Sequence, residues 1–205
     1  SKTLLPDGTE IPGTNFDYNY LQHRKVDVVS SALDFILPFE KYKITAGAKV
    51  SFTNTRNGIN YDTSDPTLVQ DDYFRYKEQI YALYADYSRE YSERFSMQLG
   101  LRMEHTRTTG ISEAKDTEDK HDYTRLFPTV YLLYSPTDGH ALNFSFSNRI
   151  SRPSQNMVNP FPFYQNKYTY ACGREDLKPS YTYNAELGYT LKNNFNVSAY
   201  YSYSD

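Results

Sequence analysis

From residue 181 to residue 191, apolar and polar positions alternate without a break. Tyr181, Tyr183, Ala185, Leu187, Tyr189 and Leu191 fall on one face, and Thr182, Asn184, Glu186, Gly188 and Thr190 on the other. A period of two is a β-strand with one apolar and one wet side. Strands of soluble domains run to about five or six residues, whereas a tilted strand crossing a bilayer needs roughly nine to eleven. The length of the alternation therefore points to a membrane strand.

The pattern recurs over 43–54 (Ile44, Ala46, Ala48, Val50, Phe52), 95–105 (Phe95, Met97, Leu99, Leu101, Met103), 142–150 (Leu142, Phe144, Phe146, Ile150) and 195–203 (Phe195, Val197, Ala199, Tyr201, Tyr203). Three further segments, 26–37, 76–90 and 124–134, carry apolar residues on both faces. Together these predict about eight long strands. Short turns are expected at Pro38 to Tyr42, Tyr91 to Arg94, Ser135 to His140 and Lys192 to Asn194, and long polar connections at 55–75, 106–123 and 151–180. Short connections alternating with long ones describe an antiparallel up-and-down transmembrane β-barrel, with tight periplasmic turns and long extracellular loops. Loops beyond about fifteen residues are uncommon in compact soluble domains.

Composition changes this picture little. No apolar run is long enough for a transmembrane helix, which does not count against a barrel, because half of each barrel strand faces a polar interior. Aromatic residues make up 17% of the chain, with 22 Tyr and no Trp. Tyr42, Tyr76, Tyr91, Tyr123, Tyr181, Tyr200 and Tyr201 lie near strand ends, where they are expected to supply interfacial girdles. A formal net charge of -3 gives no basic patch and excludes a nucleic-acid reading. The lone Cys172 has no partner for an internal disulfide.

Residues 1–22 (Pro6, Gly8, Pro12, Gly13) read as a loop, and Tyr200 to Asp205 as a strand under way, so the whole of 1–205 is expected to be part of a single larger barrel domain. A sheet with open edges is also expected to self-associate through them. Pro153, Pro160, Pro162 and Pro179 remove ladder donors, so strand pairing should end near 150 and resume near 180.

The stretch NRISRPSQNMVNPFPFYQNKYTYACGREDLKPSYTYNAELGY, from Asn148 to Tyr189, resembles the carboxy-terminal barrel of TonB-dependent receptors of the Bacteroidetes, the outer-membrane-protein β-barrel family. The resemblance rests on Arg149, Ser151, Arg152 and Pro153 leaving a strand, on Asn159 and Pro160, on a Tyr-rich stretch, and on the element Gly173 to Pro179 before the next strand. That element has Arg174 and Glu175 where the family's pattern has Asn-Pro. The stretch LPFEKYKITAGAKVSF is similar to a hairpin of the same family.

What the resemblance implies is a plugged barrel of roughly 22 strands in the cell outer membrane. It imports a scarce small ligand (siderophore, haem, glycan or similar) with energy relayed by the TonB system. The plug domain and TonB box of such receptors lie amino-terminal to the barrel, outside this segment. The expected partners are outer-membrane lipid, the small ligand and, through the full-length protein, the plug and TonB. The alternative is a passive structural or adhesive barrel without energy coupling.

Candidate ligand-binding residues are Arg149 and Arg152 at the rim or lumen and the aromatic loop cluster Phe161, Phe163, Tyr164, Tyr168 and Tyr170. Arginines so placed serve intrabarrel ion pairs more often than ligand contact, and aromatic loop clusters pack as readily as they stack on ligands. The acidic stretch Glu113, Asp116, Glu118, Asp119 and Asp122 lacks calcium-loop spacing and reads as solvated. The same reading holds for Ser64, Asp65, Asp71 and Asp72. No metal or cofactor is expected. Glu104, His105, His121 and Asp122 could meet on adjacent strands as an acid–base group. No nucleophile elbow or zinc spacing accompanies them, so the chain is not expected to be an enzyme.

Overall fold

The structure is a computed structural model that describes residues 5–9, 18–63, 71–113, 116–159, 161–166, 169–174, 176–192 and 194–205. The strands are β1 (Tyr18–Pro38), β2 (Lys43–Thr63), β3 (Asp72–Ser92), β4 (Phe95–Ser112), β5 (Thr117–Tyr134) and β6 (His140–Ser151). A one-turn helix α1 (Gln155–Val158) and a small hairpin of β7 (Phe163–Asn166) and β8 (Thr169–Ala171) follow, then β9 (Ser180–Leu191) and β10 (Phe195–Ser204). The main sheet has eight antiparallel strands in the order β1-β2-β3-β4-β5-β6-β9-β10, and β1 and β10 are its edges.

The alternation in the sequence becomes two faces of this sheet. One row of cross-strand partners runs Leu33, Ala48, Leu83, Met103, Leu126 across β1 to β5. Its large members are exposed: Leu83 at 57%, Leu126 at 54%. The row one residue away runs Ala32, Lys49, Ala82, Glu104, Arg125 on the opposite face. An unburied leucine in water forgoes about 1.5–3 kcal/mol, so an exposed apolar face of this extent belongs against lipid. The charged row faces the barrel interior.

The four short turns lie where the sequence places them, between β1 and β2, β3 and β4, β5 and β6, and β9 and β10. The loops differ. Most of 55–75 and 106–123 is strand, because β2 runs to Thr63, β3 starts at Asp72, β4 runs to Ser112 and β5 starts at Thr117. Likewise β1 begins at Tyr18, within the expected amino-terminal loop. At about 3.3 Å per residue, a strand of 21 residues is roughly 70 Å long, twice what a tilted crossing needs. The additional length carries polar residues on both faces, as in Asn54-Thr55-Arg56-Asn57. Hydrophobic alternation is lost there, but the backbone ladder continues, since its hydrogen bonds do not depend on the side chains.

The β5–β6 ladder stops at Thr129 opposite Ser147, although β5 continues upward against β4. Pro128 explains the stop. The Leu126 carbonyl accepts a 3.4 Å bond from Asn148 Nδ2 on β6. Residues two apart on a strand point their backbone groups the same way, so the N–H that Pro128 lacks is one that would face β6. Above Pro128 the seam is filled by side chains: Phe127 and Tyr181 are both buried, with ring centroids 6.5 Å apart.

The connection from 152 to 179 does not project as a free loop. Val158 and Phe161 form a buried cluster with Ile59 of β2 and Phe74 of β3, with Tyr61, Tyr76 and Leu177 packed around it. Phe161 meets Phe74 edge to face at 6.4 Å, and Tyr61 Oη donates to the Pro162 carbonyl at 3.0 Å. The segment is held to itself where Gly173 N donates to the Asn159 carbonyl and Arg174 N to that of Met157. A side chain at Gly173 would bring its Cβ within 2.4 Å of the Met157 carbonyl oxygen, so only glycine allows this approach.

Candidate functional site

Beneath that folded segment the inner wall is closed off from solvent. Thr106 is 0% exposed and Glu104 5%. Arg152, the first residue after β6, reaches back across the sheet. Its Nη2 pairs with Glu104 Oε1 and donates to Thr106 Oγ1 at 3.2 Å, and its Nε lies 3.6 Å from Glu78 Oε2. The other Glu104 oxygen accepts from Arg102 Nη2 at 2.7 Å and Nε at 3.0 Å. Arg102 in turn lies over the ring of Tyr84, whose hydroxyl donates to Asp34. Two guanidinium groups and two carboxylates thus alternate from β3 and β4 to the loop, which is how charge is tolerated where water is scarce. Burial pulls the Arg152 guanidinium down from its ordinary value, while Glu78 pulls it back up; an arginine so placed stays charged.

Beside this network a half-enclosed cavity of about 370 Å³ opens between the 152–179 segment and β3–β5. Tyr76, Tyr123 and Tyr181 form part of its wall, with Leu177 and Pro179 from the loop. These three tyrosines were expected in the interfacial girdles. Tyr76 and Tyr123 are on the inward register, and Tyr181 sits at the open seam above Pro128, so the cavity claims them. Tyr200 and Tyr201 on the edge strand remain exposed. Arg125 stands over the Tyr181 ring with its guanidinium carbon 4.7 Å from the centroid. Lys120, His121 and Lys178 complete the basic part of the lining.

The candidates chosen from sequence therefore separate. Arg152 is in the ion-pair network, and Arg149, three residues earlier, is exposed and outside it. Phe161 is a packing residue. Tyr170 on β8 is exposed. Tyr168 and the side chains of Phe163 and Tyr164 lie outside the described residues. Sequence reasoning missed Glu78, Arg102 and Arg125. Their signal was present as charged residues on the inward register of long strands. Glu78 and Arg125, however, meet their partners Arg152 and Tyr181 only across the fold, and Arg102, whose partner Glu104 is two residues away, joins them only because Arg152 reaches the same carboxylate.

Alternation also splits the conceivable acid–base group. His105 and Asp122 face outward, Nε2 to Oδ1 at 3.4 Å, with Arg107 on the same carboxylate at 3.0 Å. Glu104 points inward to the arginines. Asp71 accepts from Asn60 Nδ2 at 3.0 Å and from Tyr61 N at 2.8 Å, and Asp72 accepts from Ser112 Oγ at 2.8 Å. Ser64 and Asp65 lie outside the described residues. Among the described residues no group of three His, Cys, Asp or Glu side chains is arranged to hold a metal ion.

The model of the outer membrane protein beta-barrel family matches residues 1–205. No curated protein matches the sequence. Solved structures share the fold at low identity. The ferric citrate transporter FecA in its unliganded form is 13% identical with a TM-score of 0.58, over 94% of this chain and 29% of that one. The ferric yersiniabactin uptake receptor FyuA from Yersinia pestis is 16% identical with a TM-score of 0.57, over 94% and 30%. The copper transporter OprC is 11% identical with a TM-score of 0.67, over 90% and 31%. The chain thus spans less than a third of the length of each.

Proposed function

Because this chain belongs to the outer membrane protein beta-barrel family, we propose that it is the barrel-wall and extracellular-loop portion of a TonB-dependent receptor, which imports a scarce ligand across the outer membrane. The observation that carries this reading is the inner wall. Glu78, Arg102, Glu104 and Arg152 anchor a folded loop on it, and that loop shapes a cavity beside them. Binding sites are concave, largely preformed and lined by aromatic surface with a few fixed polar groups, and this cavity has that make-up. Resemblance to the Bacteroidetes receptors supplies the energy coupling, through a plug domain and TonB.

The open edges support the same proposal. Among the described residues β1 and β10 each leave one side of the backbone unpaired in the sheet. Unpaired N–H and C=O groups in hydrocarbon cost several kcal/mol each, so in the membrane these edges meet further strands. The shares covered of FecA, FyuA and OprC, 29–31%, fit a sector of a wider barrel.

The test is the intact mass of the mature protein in the outer-membrane fraction, followed by uptake with and without TonB. A mass several times 23.9 kDa and uptake that stops when TonB is deleted are expected. A mature protein of about that mass would refute the receptor and leave the structural or adhesive barrel.

A further inference from the structure

We propose that the cavity between the 152–179 segment and β3–β5 binds an aromatic anion, a planar ring bearing a carboxylate or a similar acidic group. This rests on the receptor reading above for its physiological setting, but its chemistry comes from the cavity alone.

Charge accounting gives the sign. The lining contains the carboxylates of Glu78 and Asp122. Glu78 is met by Arg152, which also shares Glu104 with Arg102, so these four charges cancel. Asp122 is met by Arg107 at 3.0 Å from the outer face. Lys120 is met by Glu118 at 2.9 Å. Two lining cations remain, Arg125 and Lys178, and no carboxylate among the described residues lies within ion-pair distance of either. Arg125 lies over the Tyr181 ring and also hydrogen-bonds its side chain, and the rest of its five N–H donors remain to meet an anion. His121 Nε2, also in the lining, is buried with no hydrogen-bond partner among the described residues. A buried polar atom of this kind calls for a partner.

Shape gives the ring. Tyr76, Tyr123 and Tyr181 offer aromatic surface, and Leu177, Pro153 and Pro179 close the loop side without polar side-chain groups. A volume of about 370 Å³ is at the lower end of the range for small-molecule sites. It suits one or two fused rings better than an extended chain. An inorganic anion would meet the two cations but leave the apolar wall uncovered.

The experiment titrates 2-naphthoate, and its neutral amide 2-naphthamide, into the purified full-length protein in detergent, following naphthalene fluorescence. The naphthoate is expected to bind at least about tenfold more tightly than the amide, with affinity falling as salt rises. Arg125→Gln and Lys178→Gln should each weaken the naphthoate about tenfold and leave the amide unchanged. Arg94→Gln, in the β3–β4 turn at the other end of the sheet, should change neither. Equal affinity for acid and amide in the parent protein overturns the proposal without any variant. So does naphthoate binding that survives both substitutions in a protein whose heat-modifiable migration shows it folded. If naphthoate binds as expected but the mature protein proves to be a small passive barrel, the receptor reading falls and the anion site stands. If the mature protein is a TonB-coupled receptor and naphthoate fails to bind, the reverse holds.

Discussion

Replacing Glu104 by Gln should unlatch the 152–179 segment while leaving the membrane sheet intact. Glu104 takes hydrogen bonds from Arg102 at one oxygen and pairs with Arg152 at the other. Its side chain is 6% exposed, against 24% for Arg152 and 32% for Arg102. Removing one member of a buried ion pair costs about 3–5 kcal/mol, because the remaining charge is left uncompensated. Arg152 keeps Glu78 at 3.6 Å, and both arginines reach some water, so the lower end, about 3 kcal/mol, applies. The cost falls on the seating of the loop, since the β3–β4 ladder does not use the carboxylate. At 1.4 kcal/mol per tenfold, the open population of the segment rises on the order of 10²-fold. Hydrogen exchange of the amides in 152–181, read by mass spectrometry in detergent, measures that population directly. Asp122→Asn, which disrupts an outward pair about half exposed on both sides, should change exchange less than about fivefold. Exchange in 152–181 that is unchanged in Glu104→Gln would refute the claim that this network holds the loop on the wall.

Other outcomes follow from the same structure. Phe161→Ala removes a ring buried against Phe74 and Val158 and should weaken loop seating by about 3 kcal/mol, seen as faster tryptic cleavage after Arg174 with heat-modifiable migration unchanged. At Gly47 a Cβ would stand 2.6 Å from the Tyr84 ring across the ladder. Gly47→Ala should therefore push Tyr84 off Asp34 and cost about 1–3 kcal/mol, read as a lower unfolding midpoint in urea. Asp71 lies outside the strands, and the bonds from Asn60 and the Tyr61 amide hold its carboxyl below the usual carboxylate range. Its contribution is therefore complete above the unfolded value of about 3.9 and is lost as pH falls through the lower folded value. Protection of the Tyr61 amide from hydrogen exchange should be lost only in strong acid, whereas Asp71→Asn should lower it at neutral pH.

The membrane band was legible in the sequence because burial in lipid is a one-residue property. Leu101, Met103 and Leu187 alternate with polar neighbours or glycine whatever the rest of the chain does, and the short turns mark where each crossing ends. The family could be read from Arg149 to Pro179 for a similar reason: prolines, glycine and a leaving arginine recur at fixed local spacing. The upper halves of β2 to β5 could not be read this way. Water on one side and a polar interior on the other demand no contrast between faces, and Asn54 to Asn57 looks like loop although its backbone is laddered.

The site required the tertiary structure. Arg152 finds Glu104 and Glu78 only because the loop folds inward, 48 residues from the one in sequence. Tyr181 leaves the girdle for the cavity only because Pro128 withholds an N–H from β6 and opens the seam beside it. Sequence fixes which side chains are charged and which face each strand turns inward. Which charges cancel, and which two cations are left for a ligand, depends on distances of a few ångströms between segments that only the folded sheet brings together.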